Sequence, residues 1–82
     1  MAKIIYFTAP WCGPCRTFGP IVESSGLPVQ KVNIDEDQEL ASQYGVRSVP
    51  TLLKINDLGQ ELGSRIVGVQ SKENVLNWYN NG

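Results

Sequence analysis

The chain has 82 residues and a formal net charge of -1, from seven Lys/Arg and eight Asp/Glu residues. This length corresponds to one domain, and we expect residues 1–82 to form it. The near-neutral charge offers no basic field for nucleic acid or anionic lipid, so neither is expected as a partner. No segment approaches the roughly 20 apolar residues that span a bilayer, and the apolar run near the N-terminus is too short for a signal peptide. We therefore expect a cytoplasmic globular protein.

The first half of the chain begins with a predicted strand and helix. Lys3 to Thr8 is a short run of apolar, β-branched and aromatic residues, which indicates a strand buried on both faces. A helix is predicted to begin near position 13 or 14 and to end near position 25 or 26. Pro14 suits a first helical turn, and Pro20 should kink the helix. The helical spacing is carried by Phe18, Ile21 and Val22.

Three further strands and a short helix are predicted downstream. Val29 to Ile34 has the composition of a strand, and Asp35 or Asp37 is expected to cap a short helix after it. Thr51 to Ile55 and Arg65 to Val69 are predicted to be strands joined through the turn-prone residues 56–59. The short helix places three residues on its apolar face: Leu40, Ala41 and Tyr44.

A last helix is predicted after Ser71, with an apolar face of Val75, Trp78 and Tyr79. The element order is then β-α-β-α-β-β-α. A strand–helix–strand opening implies a parallel pair with a right-handed crossover, and two later strands close in sequence imply an antiparallel hairpin. We therefore expect an α/β fold with a four-stranded mixed sheet and helices on both faces.

Both cysteines of the chain lie in the segment WCGPC, residues 11–15. Cys12 and Cys15 are three positions apart at a predicted helix start, so their thiols are neighbours that can form a disulfide or stand as a dithiol. The unpaired N–H groups and dipole of a helix N-terminus favour an anion, which predicts a lowered pKa for the Cys12 thiol. The pattern indicates redox chemistry in which the Cys12 thiolate attacks a partner disulfide and Cys15 resolves the mixed disulfide.

A metal site is the alternative use of two neighbouring thiols. A closed zinc site has four protein ligands, whereas this chain has two cysteines and no histidine. A zinc or iron site shared between copies remains formally open, and it predicts bound metal in freshly purified protein. We expect no metal and no cofactor beyond a redox-active Cys12–Cys15 disulfide.

The segment FTAPWCGPC, residues 7–15, resembles the active-site segment of the thioredoxin family. Pro20 matches the family's kink proline, KVNID at 31–35 its second-strand ending, GVRSVPTLL at 45–53 its cis-proline segment, and Gly68 the glycine beside its substrate groove. The resemblance covers nearly the whole chain and implies a minimal thioredoxin fold with three helices around the sheet. It also implies a monomer that reduces protein disulfides and is recharged by a thioredoxin reductase.

The resemblance implies a substrate-binding surface around the cysteines. A cis Val49-Pro50 bond would expose the Val49 backbone to an extended substrate. Trp11 would belong to an apolar docking rim, with Asp35 accepting a hydrogen bond from its indole; Asp35 as a helix cap is the alternative, and both can hold. The remaining members of this surface are Gly13, Pro14, Ile34, Val67 and Gly68, of which Val67 is the least secure because strand alternation could turn it inward.

The chain departs from the family pattern in two ways. It starts directly with the strand that leads into the cysteines, without a preceding strand and helix, and so is closer in size to glutaredoxin. Tyr6 stands six residues before Cys12, where the family usually carries a buried aspartate. We interpret Tyr6 as a core aromatic residue with a hydrogen-bonded hydroxyl, so that Cys15 loses its proton less efficiently. Lys31 matches the family's partner of that aspartate and is expected to reach solvent here.

Tyr6, Lys31 and Asp35 are thus candidates for tuning the reaction, and two other functions remain open. A glutaredoxin-like protein would take electrons from glutathione, whose carboxylate favours cationic or backbone donors near the cis-proline, and Arg16 and Arg47 are the obvious cations close to the motif. A non-catalytic assembly factor would use the groove only for docking.

Overall fold

A computed structural model describes residues 2–81. The elements in chain order are β1 (Lys3–Thr8), α1 (Gly13–Ser24), β2 (Val29–Asn33), α2 (Gln38–Gln43), β3 (Thr51–Ile55), β4 (Ile66–Val67) and α3 (Lys72–Asn81). This order is the predicted one. Within the described residues, none of the helices has the length and apolar composition needed to cross a membrane.

The four strands form one sheet in the order β2-β1-β3-β4. β1 runs parallel to β2 and antiparallel to β3, and β3 runs antiparallel to β4. The predicted mixed sheet is therefore confirmed. β1 and β3 have neighbours on both sides, and this position accounts for their nearly continuous apolar sequences.

The side chains of β1 alternate between two apolar cores, one on each face of the sheet. Tyr6 lies in the core that contains Phe18 of α1 and Val75 of α3. Phe7 lies in the opposite core, which contains Ala41 of α2. Helices therefore cover both faces of the sheet, as predicted.

The last strand is shorter than the predicted range Arg65 to Val69, because only two of its residues pair with β3. Gly68 has a φ of 91°, which turns the chain after Val67. On the other side of the strand, the Arg65 guanidinium forms an ion pair with Glu61 at 2.7 Å. The paired part is Ile66–Val67 alone.

Asp37 caps α2, which settles the alternative between Asp35 and Asp37. Its Oδ1 accepts the N–H of Leu40 at 3.0 Å. The N–H of Asp35 donates to Asn33 Oδ1 at 2.9 Å, and this side-chain bond begins a turn. β2 therefore ends at Asn33, one residue before the predicted Ile34.

Lys54 in β3 is buried, which the strand pattern did not indicate. Only 3% of the residue is exposed. Its Nζ donates to the backbone oxygens of Trp78 at 3.1 Å and Tyr79 at 3.2 Å, close to the end of α3. A cation at this position interacts favourably with the partial negative charge of a helix C-terminus. Lys54 therefore fixes the end of α3 to the sheet.

Candidate functional site

The first turn of α1 places the two cysteines next to each other. Cys12 is the N-cap residue of α1, and its Sγ accepts the backbone N–H of Cys15 at 3.1 Å. Pro14 lies in the first turn, where a missing N–H costs no helical hydrogen bond. The predicted placement of Cys12 at the helix start is confirmed.

Cys12 and Cys15 form a disulfide, with their Cα atoms 5.3 Å apart. The residues are 4% and 5% exposed, respectively. They cluster with Ala9, and the partly buried Ile34 and Val49 pack against this cluster. The two cysteines are thus buried among apolar residues. In the described part of the chain, no group of three His, Cys, Asp or Glu side chains is arranged to hold a metal ion.

The Val49-Pro50 peptide bond is cis, as the resemblance implied. The backbone oxygen of Val49 lies 3.7 Å from Cys12 Sγ. Gly68 donates its N–H to Pro50 O at 3.0 Å, which holds the glycine beside the cis-proline. The structure therefore brings Cys12, Val49, Pro50 and Gly68 together.

Trp11 forms an exposed rim next to the disulfide. The residue is 64% exposed, and its indole N–H donates to Asp35 Oδ2 at 3.0 Å and Oδ1 at 3.3 Å. The predicted bond between Trp11 and Asp35 is thus present. Val67 is 56% exposed, so its side chain faces solvent and not the core. Gly13 and Pro14 are also exposed.

Tyr6 is buried beneath the first turn of α1, and its hydroxyl donates to the backbone oxygen of Cys15 at 3.2 Å. Its ring meets Phe18 edge to face, with 6.1 Å between ring centroids. Tyr6 is therefore a core aromatic residue with a hydrogen-bonded hydroxyl, as interpreted from the sequence. Lys31, its neighbour in the β1–β2 register, is exposed. The polar residues that are buried in the described region are Thr8, Thr51 and Lys54, so no buried carboxylate accompanies Cys15 there.

A cavity of about 530 Å³ adjoins this site and was not predicted. Ile34 is shared between the cavity wall and the disulfide cluster. The charged residues Asp35 and Arg47 lie in the same wall. Gln38 and Ser42 also line the cavity, and they were not singled out from the sequence because the apolar pattern of α2 indicates only which residues face the core. The remaining lining residues are Ala41, Gly45 and Val46.

Comparison with known proteins gives consistent matches. The thioredoxin family model matches residues 1–81. Thioredoxin 1 of Synechococcus elongatus is 44% identical over 80 residues, which are 90% of this chain and 73% of the relative. The thioredoxin of Bacillus subtilis is 42% identical over 73 residues, 82% of this chain and 68% of the relative.

Solved structures show the same similarity. A mutant thioredoxin from Halobacterium salinarum matches with a TM-score of 0.87 and 37% identity, covering 98% of this chain and 73% of that one. A thioredoxin from Fasciola hepatica matches with a TM-score of 0.86 and 30% identity, covering 98% of this chain and 79% of that one.

Proposed function

Because this chain belongs to the thioredoxin family and is a thiol–disulfide oxidoreductase, we propose that it reduces disulfides of other proteins with Cys12 as the nucleophile. The observation that carries the proposal is the position of Cys12 at the N-cap of α1. There its sulfur accepts the N–H of Cys15 and meets the positive end of the helix dipole. Both effects stabilise a thiolate, which is the reactive form.

In the proposed reaction, the Cys12 thiolate attacks one sulfur of a partner disulfide. The other partner sulfur leaves as a thiolate and takes a proton from water, and a mixed disulfide remains. The Cys15 thiolate then attacks Cys12 Sγ, forms the internal disulfide and releases the second partner thiol. Two electrons pass from the dithiol to the partner. The second step is intramolecular, and it benefits from the proximity that the shared helical turn provides.

The proposed partner surface comprises the exposed side chains and backbone around the disulfide. The Val49 backbone next to Cys12 suits pairing with an extended segment of the substrate. A Cβ at Gly13 would meet no heavy atom within 4 Å, which leaves open space for an approaching partner. Trp11, Pro14 and Gly68 complete the surface, and the neighbouring cavity extends it through Ile34. Pro50 itself is fully buried, so its proposed part in substrate binding is to hold the Val49 backbone in place through the cis peptide bond.

We further propose that residues 1–82 act as one monomeric domain in the cytoplasm, in electron transport and cell redox homeostasis. A flavin-dependent thioredoxin reductase is the proposed electron donor, with no cofactor bound to the chain itself. The support is the family membership and the names of the relatives, each of which is a thioredoxin.

Insulin reduction tests this function. We expect activity with NADPH and thioredoxin reductase, and none after Cys12→Ser. Cys15→Ser should trap a mixed disulfide with the substrate. Activity with glutathione alone would assign the chain to the glutaredoxin-like class. If the double variant Cys12→Ser, Cys15→Ser still complemented a deletion strain, the assembly-factor alternative would replace the enzymatic one.

A further inference from the structure

Tyr6 differs from the other tyrosines of the chain in the residue that accepts its hydroxyl hydrogen bond. Each of the three tyrosines donates its hydroxyl to a backbone oxygen. Tyr44 donates to Gly59 O, and Tyr79 donates to Ala2 O at 2.6 Å. Tyr6 alone donates to a residue of the redox pair, at Cys15 O. The Tyr79 hydroxyl makes the same kind of bond to a residue outside the redox pair, so Tyr79 serves as a natural control.

We propose that Tyr6 is a positioning residue that holds the Cys15 backbone against β1, so that the Cys15 sulfur stays directed at Cys12. The proposal rests on the dithiol reaction described above and deepens it. Tyr6 is well placed for this role because it is fully buried in the central strand and its ring is fixed by Phe18.

The helix needs such support near the cysteines. Pro20 lies inside α1 and has no N–H, so the carbonyl of Arg16, one residue after Cys15, loses its helical hydrogen bond. Gly19 lies beside the Tyr6 hydroxyl, since a Cβ at that position would be 3.7 Å from the hydroxyl oxygen, an ordinary contact distance. A hydroxyl on the sheet therefore restrains the helix where its own backbone bonding is reduced.

The hydrogen bond also defines how Tyr6 acts. Its proton is directed at the Cys15 carbonyl, so the hydroxyl positions the Cys15 backbone. In the resolving step, Cys15 first loses its proton to water. The Cys15–Cys12 bond then forms as the bond from Cys12 to the partner sulfur breaks, and the partner leaves as a thiolate.

Loss of the hydroxyl should affect the two redox forms unequally. In the reduced variant the first turn can move, whereas in the oxidised variant the disulfide still holds it. The reduced form therefore loses less stability. One hydrogen bond of ordinary net strength corresponds to about a threefold to tenfold fall in the equilibrium constant for disulfide closure. For a two-electron couple this raises the reduction potential by about 15–30 mV.

The test compares Tyr6→Phe with Tyr79→Phe, each of which removes one hydroxyl. Reduction potentials are measured by equilibration with glutathione, and thermal unfolding is followed for both redox forms. Tyr6→Phe should raise the potential as stated, slow single-turnover resolution by about threefold to tenfold and destabilise the oxidised form more than the reduced form. Tyr79→Phe should destabilise both forms equally and leave the potential unchanged.

A Tyr6→Phe potential equal to that of the wild type would overturn the proposal. So would an altered shape of the pH profile for resolution, because Tyr6 would then exchange the proton itself. If Tyr6→Phe does not fold, 3-fluorotyrosine at position 6 supplies the second variant. Its stronger donor should lower the potential, and an unchanged potential would again refute the role. Because these measurements need only thiols, they remain valid even if the chain fails to reduce insulin.

Discussion

The reactivity of Cys12 toward an alkylating reagent is the prediction on which the proposed chemistry depends. The variant Cys15→Ser isolates the Cys12 thiol and keeps the backbone N–H that donates to it at 3.1 Å. A hydrogen bond to a charged group contributes about 1.5–3 kcal/mol, and a helix N-terminus adds about 0.3–1 kcal/mol. Burial opposes ionisation and cancels part of this gain. A net effect of about 1.5 kcal/mol gives roughly a tenfold larger thiolate fraction at neutral pH.

The assay is the rate of iodoacetamide alkylation as a function of pH, followed by mass spectrometry. Cys12→Ser is the matched control, because it leaves only the Cys15 thiol. We expect Cys12 to react about tenfold faster than a free cysteine peptide at pH 7. Its alkylation rate should also reach its plateau at a lower pH than the rate of the peptide does. A Cys12 thiol that reacts no faster than Cys15 or the peptide would refute the N-cap reasoning.

Three further predictions concern Lys54, which contacts the end of α3, and two residues near the cysteine pair. Lys54→Met should lower the free energy of unfolding, measured by calorimetry, by about 1–3 kcal/mol, because the α3 carbonyls lose a cation. The control Lys3→Met, at an exposed position, should change it by under about 0.5 kcal/mol. A Lys54→Met variant as stable as the wild type would contradict this prediction. Asp35→Ala should raise the KM for insulin a few-fold at unchanged kcat, because it removes the acceptor of the Trp11 indole N–H. Asp35→Asn keeps an oxygen acceptor and should restore the KM. A loss confined to kcat would contradict a role of Trp11 in substrate docking. Tyr6→Asp should speed single-turnover resolution of the mixed disulfide, because a carboxylate base contributes about 100-fold or more, which outweighs the lost hydroxyl bond. An unchanged or slower rate would show that the missing carboxylate does not limit the deprotonation of Cys15.

The sequence predicted those parts of the fold that depend on local pattern. The bounds of β1 and β3 were predicted correctly because both strands lie inside the sheet and have nearly continuous apolar sequences, interrupted in β3 by Lys54. The disulfide and the bond between Trp11 and Asp35 were also anticipated. Both features were predicted because they belong to a short sequence motif and to a family resemblance.

The remaining features depend on contacts between distant segments. Lys54 is buried because the end of α3, more than 20 residues later, supplies carbonyl oxygens to its ammonium group. A strand pattern contains no information about where that helix ends in space. The bounds of β4 likewise depend on a distant segment, because only Ile66 and Val67 pair with residues of β3. The acceptor of the Tyr6 hydroxyl could not be read from the sequence for the same reason.

Tyr6 and Lys54 each fix a helix to the sheet, one with a neutral hydroxyl and the other with a cation. Both residues are buried in central strands and donate to backbone oxygens of a helix. The cation lies at the end of α3, where it stabilises the helix C-terminus. A cation beneath the first turn of α1 would also stabilise the cysteine thiolates, and it would favour the reduced dithiol. A neutral hydroxyl at that position places Cys15 without adding charge, and the reactivity of the pair is then governed by the N-cap position of Cys12.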